Sequence, residues 1–302
     1  MADPRAGLRV LDDQVVDGYD PAHGLSLPDR IAWAVSVAGR GDAGEDVEDV
    51  GARWSGLLQS LLRDPAAPRL RTLILDDWSG QADLYDTPYE EGDPLPLMTR
   101  HASRLAGLER LYIGPFPAAL PPAEGVCQGV GPALTKLPAL TRLDLHGASG
   151  WALIPAKGHP RLRTLVMHVG ELGDDSLANL IAAPFPALER VDLWLGPEAL
   201  AEDAGEAEEL AAALSSAKLP GLRELALRGL ESPALLEALG GQTLELQALA
   251  ITHAPGLGGA LEGLLQAPWL GRLRRLELSG TGVSAELAAE LAARGPVVVG
   301  AD

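Results

Sequence analysis

A chain of 302 residues with 24 basic and 42 acidic side chains carries a formal charge of −18. That balance opposes nucleic-acid backbones and anionic membranes, whose binding needs clustered Lys and Arg. It favours solubility, as a generic acidic cytosolic surface does, and beside that bland reading it suits a protein partner of basic charge. Hydrophobic residues make up 47% of the chain but aromatic ones only 4%, so leucine and alanine must build the core.

Cys127 is the lone cysteine, which removes an intrachain disulfide and a cysteine-based zinc site from consideration. The first twenty residues lack a basic segment followed by an apolar one, and no apolar run approaches the ~18 residues that span a bilayer. The expected compartment is the cytoplasm.

Residues 1–30 are acidic, contain Pro4, Pro21 and Pro28, show no clear period and read in part as a loose tail. Ile31 to Val37 alternates large and small residues as a half-buried strand does. Residues 39–48 read as an acidic, glycine-rich loop. Val50, Trp54, Leu57, Leu58, Leu61 and Leu62 then follow helical spacing across residues 49–63. Residues 1–68 are accordingly expected to be an N-terminal segment and cap, covering core leucines that a first repeat would expose.

From residue 69 to 302 the unit L-x-x-L-x-L recurs eight times, with Val, Ile or Met allowed. Its first residues are Leu70, Leu108, Leu140, Leu162, Leu188, Leu222, Leu246 and Leu273, at intervals of 38, 32, 22, 26, 34, 24 and 27. Repeats of this kind run roughly 20–29 residues, so three intervals contain insertions. Segments 175–183, 204–217, 233–240, 259–267 and 284–294 are rich in Ala, Leu and Glu at helical spacing, with Ser284 placed as a cap. A last strand is expected from Pro296 to Val299.

These residues resemble the ribonuclease-inhibitor type of leucine-rich repeat, most closely at Leu172-Gly173-Asp174-Asp175-Ser176-Leu177. The resemblance covers about residues 69–294. It implies an α/β solenoid, a horseshoe with a parallel sheet on the concave face and helices on the convex face. Over its full length the chain is also similar to a group of uncharacterised bacterial leucine-rich repeat proteins, through Ala32 to Val37 and Leu188 to Gly196. That group implies fold and length but no activity. One departure stands out: the family's turn asparagine is missing, since the single Asn of the chain, Asn179, lies inside a helix. The equivalent positions are Trp78, Phe116, Ala148, Gly170, Gly196, Leu230, Ala254 and Thr281, where looser turns are expected.

Leucine spacing fixes which residues point to the concave face. It gathers Tyr112, Asp144, His146, His168, Asp192, Trp194 and Arg228 near its middle, as an exposed polar surface for a partner. Trp, Tyr and Arg are the residues enriched at binding hot spots. A His/Asp group of this kind also suits acid–base or metal chemistry, but no fixed motif such as H-E-x-x-H supports catalysis, a metal or a cofactor.

The longest insertion, 76–103, is acidic and aromatic, and its Trp78, Tyr85 and Tyr89 are further candidates for partner contact. A long loop without structure of its own is either a recognition loop or a disordered one, and both readings stand for this segment. The second insertion, 114–136, reads as packed irregular chain. The function expected is macromolecular recognition, without catalysis. Its rivals are an enzyme built on Asp144, His146, His168 and Asp192, and an architectural subunit.

Overall fold

A computed structural model of the chain describes residues 10–36, 47–76, 94–122, 126–128, 130–151, 153–172, 174–196 and 204–300. Its strands are β1 (Val10–Leu11), β2 (Gln14–Gly18), β3 (Ala32–Val35), β4 (Thr72–Leu75), β5 (Arg110–Ile113), β6 (Val126–Gln128) and β7 (Arg142–Trp151). They continue with β8 (Thr164–Leu172), β9 (Arg190–Trp194), β10 (Glu224–Arg228), β11 (Ala248–Thr252), β12 (Arg275–Glu277) and β13 (Val297–Val299). Among the described residues twelve of them form one open sheet in chain order, and β6 joins it through β7. Among the described residues only the β1–β2 pair is antiparallel.

Parallel neighbours need a crossover between them. The crossovers carry α1 (Val47–Arg63), α2 (Pro94–Arg100), α3 (Val130–Leu134), α4 (Asp174–Ala182), α5 (Ala204–Ala213), α6 (Ala234–Gly240) and α7 (Ala285–Ala293). Each L-x-x-L-x-L unit ends in a strand whose last two apolar residues face these helices. Leu73, Leu75, Leu165, Met167, Val191 and Leu193 are fully buried, in one core with Trp54, Leu210, Leu236 and Leu291 from the helices. Burying one such leucine is worth about 2 kcal/mol. That core and the sheet run through residue 68 without interruption, since β3 pairs with β4.

The register is pinned just before each strand. The Arg71 carbonyl accepts from both Glu109 N and Arg110 N, and the carbonyls of Glu109, Thr141, Arg163, Glu189, Arg223 and Gln247 each accept two successive amides of the next unit in the same way. The turn amides after the strands find carbonyls too: Gly114 N donates to Leu75 O, Gly229 N to Thr252 O and His253 N to Ser279 O. Two of the asparagine-equivalent positions, Ala148 and Gly170, do not turn at all. There β7 and β8 run on to Trp151 and Leu172, still paired at Ser149–Glu171 and Gly150–Leu172, and β6 adds itself at Val126–Ser149.

Four expectations change. Residues 10–18 are not a loose tail but a hairpin, because Leu11 and Val16 bury themselves against Ala32, Ala34, Ile74 and Tyr112. The end of the 76–103 insertion is structured: α2 and a 3-10 turn at Ala102–Leu105 are held by buried Met98 and Leu105. The 114–136 insertion contains β6 and α3 rather than irregular chain. Ala260–Gln266 is a 3-10 helix, consistent with glycines that favour no α-helix at Gly256, Gly258, Gly259 and Gly263. The Ser284 cap forms as expected, its side chain accepting from Leu287 N.

Candidate functional site

The face of the sheet opposite the helices is read in rows across the strands. Register pairs Tyr112 with Asp144, Asp144 with Val166, and Val166 with Asp192. Two residues further on it pairs His146 with His168, His168 with Trp194, Trp194 with Arg228 and Arg228 with Thr252. All seven candidates from the repeats therefore lie together on five consecutive strands. Trp78, Tyr85 and Tyr89 lie outside the described residues.

Their environment differs from the expectation of an exposed surface. Asp144 and Asp192 are each 3% exposed and Trp194 8%. Tyr112, His146, His168 and Val166 are buried as well, and only Arg228 keeps part of its side chain in solvent. The reason is mutual packing. Tyr112 and His146 stack with ring centroids 4.6 Å apart, and His146 meets the His168 edge at 5.0 Å. The chain after β5 turns back onto Tyr112, whose hydroxyl donates to Pro115 O at 2.6 Å while Phe116 packs edge-on against its ring. Trp194 lies over Gly229, where a Cβ would stand 2.8 Å from the indole, and beside His253.

The two aspartates are the electrostatic hubs. Asp192 accepts from His168 Nε2 at 2.8 Å, from Arg228 Nε at 2.7 Å and from Arg228 Nη2 at 3.0 Å. Arg228 Nη1 also donates to Thr252 Oγ1. Burial alone would raise the Asp192 pKa, but the bonds and charges of His168 and Arg228 outweigh it and hold the carboxyl well below its usual range. Asp144 takes Arg142 bidentately, at 2.9 to 3.1 Å, and Arg110 Nε at 3.2 Å. A third carboxylate, Asp12, arrives from the hairpin turn and bonds Arg110 Nη1 at 2.6 Å and Arg142 Nη1 at 2.9 Å.

His146 sits between the hubs as a neutral ring. Burial, reinforced by the neighbouring His168, lowers its pKa from 6.5 to about 3 against the pull of Asp192. Arg190 pairs with Glu224 and more loosely with Asp192, and Arg275 with Glu277. The face is thus charge-balanced within an acidic chain, and its arginines hold the carboxylates that acid–base chemistry would require. Among the described residues no three His, Cys, Asp or Glu side chains converge as metal ligands do. None of the described helices is long and apolar enough to cross a membrane.

Two contributors escaped the reading by repeats. Asp12 lies outside them; its only signal is the pair Asp12-Asp13 between Val10-Leu11 and Val15-Val16, a short hairpin pattern. His253 follows the strand at positive φ, where no spacing rule assigns a face.

Fold and site together define the class: an α/β protein with a long, mostly parallel open sheet, helices on one face and a buried ion-pair and aromatic row on the other. The chain is similar in structure to a Bacteroides fragilis protein whose crystal structure came from a structural genomics consortium. The TM-score is 0.64 at 19% identity, covering 86% of this chain and 73% of that one, a likeness of fold alone. No protein-family model and no curated protein matches the chain.

Proposed function

We propose that this chain is a leucine-rich repeat solenoid that serves as a protein-recognition scaffold, with the concave face as its binding surface and the 76–103 segment as a second contact. The observation that carries the reading is the register: repeat after repeat sets arginines and aromatic rings in rows on one face. The buried Asp192–His168–Arg228 and Asp144–Arg142–Arg110 groups are the rigid floor of that surface. What a partner touches is the layer above, the exposed Arg190, Glu224 and Arg275 and the half-buried Arg142, Arg228, Ala248 and Ala250. Recognition fits better than acid–base or metal-dependent chemistry because each hub carboxylate already holds an arginine. The acidic composition of residues 76–103 suits a basic partner, whereas the face itself is neutral.

The test is affinity capture with the double charge reversal Arg190→Glu/Arg275→Glu, both sites exposed. Arg275 pairs with Glu277 on its own strand, and Arg190 meets the buried network at one 3.5 Å approach to Asp192, so unfolding midpoints of the variant are recorded beside the capture. The variant is expected to lose partners that wild type retains, while Glu209→Lys on α5 keeps them. A partner held equally by all three proteins refutes the concave face as the binding surface.

A further inference from the structure

The Arg110–Arg142 pair is unusual in how it is completed. The two residues are register partners on adjacent parallel strands, and the sheet supplies them with a single carboxylate, Asp144. Two guanidinium groups facing one buried anion leave an excess positive charge. The second anion comes from outside the repeats. Asp12 reaches over from the two-residue turn between β1 and β2, with one oxygen, Oδ2, held by both Arg110 Nη1 and Arg142 Nη1. It approaches from the solvent side: its side chain is 56% exposed, against 4% for Asp144. Asp12 also adopts φ +53, a region that non-glycine residues enter only with local support. The grip is incomplete as well, because Arg110 Nη2 is buried with no hydrogen-bond partner among the described residues. A carboxylate docked end-on would use both Nη atoms of one guanidinium.

The residue before Asp12 completes the picture. Leu11 is buried with Val16 against Ala32, Ala34, Ile74 and Tyr112, an apolar seat beside the arginine pair. β1 itself holds on lightly, whereas β2 is paired in register with β3. β1 is two residues long, Val10 and Val15 point to solvent, and Gln14 contributes bonds to Thr72 and Arg30. An apolar side chain in the seat and a carboxylate on the arginines is the chemistry of an acidic–apolar peptide.

We propose that Arg110, Arg142, Ile74 and Tyr112 form a docking site for a partner's peptide segment carrying Asp or Glu next to an apolar residue, and that Leu11-Asp12 is a tethered stand-in that occupies it. The site rests on the recognition reading and specifies its partner chemistry. Binding requires β1 and the Asp12 turn to lift while β2 stays paired with β3, so wild type is held partly closed and variants that weaken Leu11-Asp12 open it.

The probe is a synthetic, fluorescently labelled peptide with the chain's own sequence Val-Leu-Asp-Asp-Gln, beside a control in which both Asp are Asn. Binding is measured by anisotropy to full-length wild type, Asp12→Asn and Leu11→Ser/Asp12→Asn, with unfolding midpoints recorded for each. The double variant is expected to bind the acidic peptide at least tenfold more tightly than wild type, and Asp12→Asn at least threefold more tightly. Arg142→Gln in either background removes the gain, and the Asn control does not bind. Should the double variant fail to fold, Asp12→Asn decides. Equal binding by wild type and Asp12→Asn, or binding that survives Arg142→Gln, overturns the site. So does displacement of the peptide by inorganic phosphate at equal concentration, which marks a generic anion site. A partner captured in the Arg190/Arg275 experiment survives any of these failures, so the two readings fall separately.

Discussion

The buried neutral ring of His146 ties the stability of the sheet to pH with a sign that can be worked out. In the unfolded chain a histidine titrates near ~6.5, whereas in the folded protein burial lowers the His146 pKa to about 3. Between those values the unfolded state holds a proton that the folded state does not, so stability rises with pH. The contribution is fully present above ~6.5 and is lost as pH falls towards the folded value, with a slope approaching 1.4 kcal/mol per unit, about 2 kcal/mol between pH 8 and pH 5. His146→Phe keeps an aromatic ring against Tyr112 but cannot take up the proton. Urea unfolding of both proteins from pH 4.5 to 8 reports the difference in slope. His159, whose pKa burial also lowers, is common to both proteins and cancels. Asp192 and Asp12, held low by their arginines, add loss of the same sign only where ordinary carboxylates begin to protonate. The His146 variant is expected to be flatter by about 3 kcal/mol from roughly pH 4.5 to 8. Parallel curves for the two proteins, or a His146 ring that titrates near 6 by NMR, refute the reasoning.

Asp192→Ala removes the anion that holds Arg228 and His168 and is expected to cost about 3–5 kcal/mol by chemical denaturation. Adding Arg228→Ala is expected to recover part of that loss; strict additivity contradicts the network. Gly114→Ala drives a Cβ into the His146 carbonyl at φ +114, and a cost under about 1 kcal/mol argues against that turn geometry. Ser284→Ala is expected to cost about 1 kcal/mol through the lost cap of α7, without moving the His146 titration.

The parts of the structure that repeat were legible, because periodicity speaks for many residues at once. Leu143 and Leu145 face the helices in β7, so Asp144 and His146 must face the other way and pair with Val166 and His168. Whether that face is open was not legible. Spacing assigns a direction to Tyr112 but says nothing of Pro115 and Phe116 folding back on it, or of Leu11 and Val16 arriving from a segment with no period. The missing asparagines foretold altered turns, yet the form of the alteration depends on neighbours. Ala148 and Gly170 are next to each other in space, and together they let two strands continue where one alone would gain no partner.

The placement of the two aspartates explains why this polar face holds together. Directly opposed like charges on neighbouring strands destabilise a sheet, and Asp144 and Asp192 occupy the same row. Val166 stands between them on β8, so they are two strands apart rather than adjacent. Each then recruits its own donors: Arg110 from the neighbouring β5 and Arg142 from its own β7 for Asp144, His168 and Arg228 from the two flanking strands for Asp192. His146 and His168 bridge the gap as rings in edge contact, and keeping His146 uncharged avoids adding a cation to the three arginines around the aspartates. A protonated His146 would face Arg110 and Arg142 on one side and compete with Arg228 for Asp192 on the other. The low pKa of His146 and the satisfied state of both aspartates are therefore one arrangement. It leaves the first strands of the face rigid underneath and dependent on the hairpin above.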